Sequence, residues 1–135
     1  VSFDAFDRLA AAGAFALAWR AHGLGYGIRR AQLEVLARGG WVFVNGSREY
    51  LGTAIKLFPA LTPVHVTASQ ATLLRRLSAR RRETPQQIGL RIARAQAFAP
   101  PPGTLEIHND STLQQACARL LAALGAIEGS PVTCR

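Results

Sequence analysis

The chain has 135 residues, 49% of them hydrophobic and 18% charged, which suits one domain with a real core and excludes a disordered segment. No apolar run reaches the roughly 18 residues of a membrane helix, and Ser2, Asp4 and Asp7 stand where a signal peptide would carry its basic and apolar regions, so a cytoplasmic protein with no membrane partner is expected. A net charge of +8, with Lys56 the lone lysine, favours a polyanionic ligand, while aromatics at 7%, none of them among the clustered arginines, give no stacking platform, so no nucleic acid is expected.

Ser2 can cap a short helix to Ala12, in which Phe3, Phe6, Leu9 and Ala10 recur at helical spacing. Ala14 to Trp19 is an apolar run that predicts a strand. In His22-Gly-Leu-Gly-Tyr-Gly27, glycines at 23, 25 and 27 predict a loop with positive φ or close approach to a ligand. Arg29 to Arg38 predicts a helix closed by Gly39-Gly40. Trp41-Val-Phe-Val-Asn45 reads as a buried strand, and Gly46-Ser47 turns the chain into a helix from Arg48 to Phe58.

Pro63 to Thr67 is the next strand, and Thr67 with Gln70 matches a capping box opening a helix with Leu73, Leu74 and Leu77 on one face. Thr84-Pro-Gln-Gln87 is a second capping box with proline at the first helical position, and its helix turns Ile88, Ile92 and Ala95 inward. Thr104 to His108 is the last strand. Asn109-Asp-Ser111 then caps an amphipathic helix bearing Leu113, Ala116, Cys117, Leu120, Leu121 and Leu124, ended by Gly125. Strands alternate with helices from Trp41 onward, which predicts an α/β fold: a parallel sheet flanked by helices, with ligands at the carboxyl ends of the strands.

The charge is concentrated in a helix pair between Leu73 and Phe98, where Arg76, Arg80, Arg82, Arg91 and Arg94 flank one turn. Guanidinium is a planar fork that grips phosphate oxygens two at a time. A solvated basic face gives a similar pattern, but these residues sit on both sides of a capped turn with only Glu83 near in sequence to neutralise them. Arg75 and Arg81 read as solvent-facing. A GC-rich genome accounts for the excess of arginine over lysine, though not for the clustering.

Tyr26 offers a hydroxyl to a phosphate oxygen, or is an ordinary turn aromatic. Asn45 and Ser47 fall where a phosphate enzyme usually holds magnesium or its water, and an amide and a hydroxyl suit that only indirectly. His65, between Val64 and Val66, reads as a hydrogen-bonded sheet residue rather than a catalyst. Neither the histidines (His22, His65, His108) nor Cys117 and Cys134 have metal-ligand spacing, so no protein metal site is expected. No Gly-x-x-x-x-Gly-Lys-Ser/Thr loop occurs.

Taken in series, Gly13-Ala-Phe15, His22-Gly23, Tyr26-Gly27, Arg76-Leu77-x-x-Arg80, Ile88-x-x-Arg91-Ile92 and Asn109-Asp110 resemble the guanylate kinase-like branch of the P-loop nucleotide kinases over nearly the whole chain. Within it, Leu17-Ala-Trp19, Val44-Asn-Gly-Ser-Arg48, Arg82-Glu83, Ile92-Ala-Arg-Ala95 and Asn109-Asp110 are most similar to the ribose 1,5-bisphosphate phosphokinases. Those enzymes use ATP to make 5-phosphoribosyl 1-diphosphate in bacterial phosphonate breakdown. The resemblance implies a guanylate kinase-like domain over residues 1–135, with 13–38 as acceptor-binding region and 73–98 as an arginine-rich lid, using ATP and Mg2+. It implies that Arg80 and Arg91 close on the transferring phosphate, that Arg76 lies near the adenine or the lid base, that Asn109 sits by the adenine, and that Tyr26 binds the acceptor phosphate. Arg82, Arg94 and Ser47 join the substrate side.

Guanylate kinases carry a glutamate that reads the guanine where this chain has Leu17. An apolar side chain leaves purine N–H donors unpaired, so a ribose phosphate without a base fits better. The family's first strand, Gly-rich loop and first helix have no counterpart here, which removes the backbone cradle for the β-phosphate and would leave a gap in the sheet. With Val1 in first place, no methionine and the lid arginines intact, an N-terminally truncated piece of a longer kinase is expected rather than a degenerate copy. The alternatives are a catalytically inactive fragment that binds a phosphate metabolite, and a basic nucleic-acid binder.

Overall fold

The computed structural model describes residues 2–21 and 23–128; His22 and the tail thiol Cys134 lie outside them. The chain divides into two compact units, one running to Leu61 and one starting at Thr62. Among the described residues no helix is long and apolar enough to cross a membrane.

The first unit opens with helix α1, Phe3–Ala11, whose first turn is capped by the Ser2 hydroxyl accepting from the Ala5 N–H at 3.3 Å. Strands β1, Phe15–Ala21, and β2, Leu24–Arg29, form an antiparallel hairpin that pairs Trp19 with Tyr26 and Leu17 with Ile28. The glycine-rich segment expected as a loop is therefore mostly strand. Gly23 alone serves the turn, at φ +72°. Gly25 and Gly27 answer to packing: a Cβ at Gly25 would stand 2.9 Å from the Phe6 ring, and one at Gly27 2.5 Å from the Phe15 ring. Those two rings stack on each other at 5.2 Å.

The helix expected over Arg29 to Arg38 forms at Arg30–Arg38, wound as a 3-10 helix, and ends at Gly39, φ 75°. The N–H groups of Gly39 and Gly40 close it by donating to Leu36 and Val35 carbonyls, both at 3.0 Å. The expected strand Trp41–Asn45 is not formed; residues 39–50 carry no helix or strand. Its apolar run predicts a buried strand, yet no strand pairs with it among the described residues, and Phe43 is 66% exposed. Helix α2 follows at Leu51–Leu57, starting three residues later than expected, and buries Ala54.

In the second unit, β3 (Val64–Thr67) and β4 (Leu105–His108) pair in parallel. This is the parallel sheet expected, reduced to two strands. Between them, α3 (Gln70–Arg80) and α4 (Pro85–Gln96) pack together and bury Leu77, Ile88 and Ile92 in one cluster. Ser69, rather than Thr67, caps α3, because Thr67 is the last residue of the strand and its carbonyl is taken by Asn109. The capping box at Thr84 forms as expected: its hydroxyl accepts from Gln87 N–H, and the Gln87 side chain accepts from Thr84 N–H at 2.8 Å. Helix α5, Leu113–Glu128, packs on β4 and runs through Gly125, where it was expected to stop. A single glycine costs a helix about 1 kcal/mol, too little to end one whose Ala116 and Leu124 are buried.

Candidate functional site

The carboxyl ends of β3 and β4 lie side by side, and their loops are tied together. The Asn109 N–H donates to the Thr67 carbonyl at 2.7 Å. One Asp110 carboxylate oxygen accepts from the Ser69 N–H at 2.7 Å. The Ser69 side chain, as the largest influence, then the Ser69 N–H and the Thr72 side chain hold the carboxylate's pKa at about 2 against an ordinary 3.8. Asp110 was expected as a helix cap. Instead it bridges two strand-end loops 41 residues apart in sequence, while Thr112 caps α5 by exchanging hydrogen bonds with Gln115.

Arg76, expected near the adenine or the lid base, and Asn109, expected by the adenine, come together. The Arg76 guanidinium donates to the Asn109 side-chain oxygen at 3.4 Å and to the Ser111 carbonyl at 3.2 Å. One hydrogen-bonded set thus connects α3 to the strand ends.

The α3–α4 turn carries the remaining arginines. Arg81 closes α3 in the left-handed region, at φ 50°. Arg91, one α-helical turn and more beyond the cap, reaches back to the turn and pairs with Glu83 at 2.5 Å. Arg94 folds onto its own helix, donating to the Leu90 carbonyl at 3.4 Å. Arg80 and Arg82 are exposed and make no hydrogen bond or ion pair among the described residues. A groove of about 440 Å³ between α3 and α4 is lined by uncharged residues, Leu74, Pro85 and Ile92 among them, so it is not where the arginines converge.

His65 departs from expectation. Its Nδ1 is buried without a hydrogen-bond partner and stands 3.9 Å from the Glu106 carboxylate, its neighbour across the parallel ladder. The Phe98 ring edge occupies the space beside it, at 5.0 Å. No group of three His, Cys, Asp or Glu side chains able to hold a metal occurs among the described residues.

In the first unit, Tyr26 lies on β2 and stacks on Trp19 at 5.5 Å with 8° between the rings. Trp19 also stacks on Tyr50, at 5.5 Å and 23°. The Tyr50 phenol oxygen accepts from the Ala18 N–H at 3.4 Å. Tyr26 lines a cavity of about 360 Å³ with Ser2, Phe3, Phe6, Leu24 and Gly25. Ser47 sits in the turn before α2, its carbonyl accepting from Tyr50 N–H at 3.1 Å, and no hydrogen bond joins it to Tyr26 among the described residues. The aromatic ladder was missed in the sequence because its members pair only once the hairpin registers; reading the segment from 22 to 27 as a loop hid the signal.

No family model matches the chain. Individual relatives do. The chain is 48% identical over 128 residues to the ribose 1,5-bisphosphate phosphokinase PhnN of Thiobacillus denitrificans, covering 94% of this chain and 67% of that protein. The chain belongs to the ribose 1,5-bisphosphate phosphokinase family. It is also 45% identical over 121 residues to the family member of Chromobacterium violaceum, covering 90% of this chain and 65% of that one. A bifunctional ribose 1,5-bisphosphokinase-thymidine phosphorylase of Azorhizobium caulinodans is 38% identical over 127 residues, 93% of this chain and 18% of that protein. The chain spans about two thirds of the length of the first two family members.

Proposed function

We propose that the chain takes part in ATP-dependent phosphorylation of ribose 1,5-bisphosphate to 5-phosphoribosyl 1-diphosphate, as part of a P-loop, guanylate kinase-like domain. The observation that carries this reading is the gathering of Arg80, Arg82 and Arg91 around one capped turn, in a chain 48% identical to a ribose 1,5-bisphosphate phosphokinase. The transfer forms a bond from an acceptor phosphate oxygen to the γ-phosphorus of ATP and breaks the bridge to the β-phosphate, releasing ADP. Charge spreads over the phosphoryl oxygens in that transition state, and fixed guanidinium groups stabilise it.

In this reading residues 73–98 form the lid, with Arg80 and Arg91 acting on the transferring phosphate and Arg82 and Arg94 on substrate oxygens. Arg91 would exchange Glu83 for phosphate. Asn109 and Arg76 serve the adenine side, held by the hydrogen bond between them. Residues 13–38 form the acceptor region through Tyr26, with Ser47 contributing a hydroxyl. Magnesium demands near-octahedral oxygen ligands and commonly travels with substrate phosphates. Glu83 in its ion pair and Asp110 on its Ser69 tie do not fit it as ligands.

The test is a coupled assay for ADP release with ATP, magnesium and ribose 1,5-bisphosphate, on this chain and on a version extended upstream. Turnover by either supports the kinase. Turnover by neither, with acceptor binding retained, replaces it with a non-catalytic phosphate-metabolite binder.

A further inference from the structure

We propose that Trp19 is a positioning residue for the Tyr26 phenol, with Tyr50 as its support. The inference rests on the acceptor role proposed above for Tyr26. Trp19 and Tyr26 are direct cross-strand partners, and their rings lie within 8° of parallel. Tyr50 stacks on the same indole, and its own hydroxyl is tied to the β1 backbone at Ala18. Three elements thus contribute one ring each to a continuous ladder: β1, β2 and the turn that leads into α2.

The outer ring matters most. Tyr26 is 37% exposed, and its hydroxyl makes no hydrogen bond among the described residues. Ring stacking, not a hydrogen bond, therefore sets where the phenol points, and the hydroxyl stays available to an anion. A side chain already ordered before the ligand arrives loses less freedom on binding, and a misplacement of about 1 Å in a positioning group is costly. The ladder supplies that order to Tyr26.

The consequence is a selective effect on the acceptor. Trp19→Ala should raise the KM for ribose 1,5-bisphosphate about tenfold while the KM for ATP moves less than about twofold, and Trp19→Phe, which keeps a ring to stack, should recover most of the loss. In a Tyr26→Phe background, Trp19→Ala should add little, because the hydroxyl it positions is gone. An equal rise in both KM values, or the same penalty with and without the Tyr26 hydroxyl, would overturn the proposal. Should Trp19→Ala give no cooperative melt, Trp19→Leu, which keeps apolar volume without a ring, is read the same way.

A second readout needs no turnover. Trp19 and Trp41 are the chain's tryptophans, so Trp41→Phe leaves Trp19 as the reporter. Titration with ribose 1,5-bisphosphate should change its emission, and Tyr26→Phe should weaken that titration. An emission change dependent on the Tyr26 hydroxyl, without ADP release by this chain or by the version extended upstream, keeps the positioning and removes the kinase reading. ADP release with an acceptor KM indifferent to Trp19→Ala removes the positioning alone.

Discussion

Asp110 ties the two strand-end loops through Ser69. Its carboxylate is held at about 2 against an ordinary 3.8 by hydrogen bonds from Ser69 and Thr72. A depressed carboxylate pKa contributes stability that is present above the unfolded value and is lost as pH falls through the folded one. The contribution of Asp110 should therefore be complete above about pH 4 and vanish toward pH 2. Asp110→Asn should flatten that part of the stability-versus-pH curve, measured by thermal melts across the range; an unchanged slope would refute the assignment. The residue was legible as polar punctuation after a strand. Its partner was not, because Ser69 lies 41 residues away. Gly27 offers a second test. Alanine there places a methyl group 2.5 Å from the Phe15 ring. Overpacking costs about 1–3 kcal/mol, partly offset by the backbone entropy glycine loses. Gly27→Ala should lower the denaturation midpoint, and Phe15→Leu should recover part of the loss.

At the scale of elements, the caps at Ser2 and Thr84 form as expected, while those expected at Thr67 and at Asn109 to Ser111 fall instead to Ser69 and Thr112. Thr84 and Gln87 form their box because both partners lie within one turn, so the signal is local. Thr84→Ala should cost about 1 kcal/mol of stability by chemical denaturation. The strands were less legible. β3 and β4 were found, since each is a short apolar run between turn residues, but the hairpin of β1 and β2 was half missed. Glycines that accommodate Phe6 and Phe15 look, in sequence, like glycines of a loop. The turn between α3 and α4 carries its own prediction. Glu83 holds Arg91 in an ion pair that a polyanion would have to displace in the proposed lid role. Exposed ion pairs of this kind are worth about 0.2–1 kcal/mol. Glu83→Gln should tighten ATP binding by no more than about fivefold, read by isothermal titration.

For the whole molecule, the net charge of +8 sets the response to salt. Exposed charges are screened over roughly 10 Å at 0.1 M salt. ATP affinity should fall several-fold between about 0.05 and 0.2 M salt, while the melting temperature, which rests on buried apolar side chains such as Leu77, Ile88 and Ile92, should change little. A salt-insensitive ATP affinity would argue against the arginine turn as the binding element.

The sequence by itself determined the α/β class, the helix pair with the Thr84 cap of its second member, the arginine cluster and the family, because these depend on period, capping chemistry and motif order along one stretch of chain. Only the tertiary structure decided that Arg76 meets Asn109, that Asp110 ties two loops, that Trp19 stands against both Tyr26 and Tyr50, and that residues 41–45 form no strand. Each of those depends on a partner distant in sequence, and a strand or a hydrogen-bonded side chain takes its state from the partner it finds.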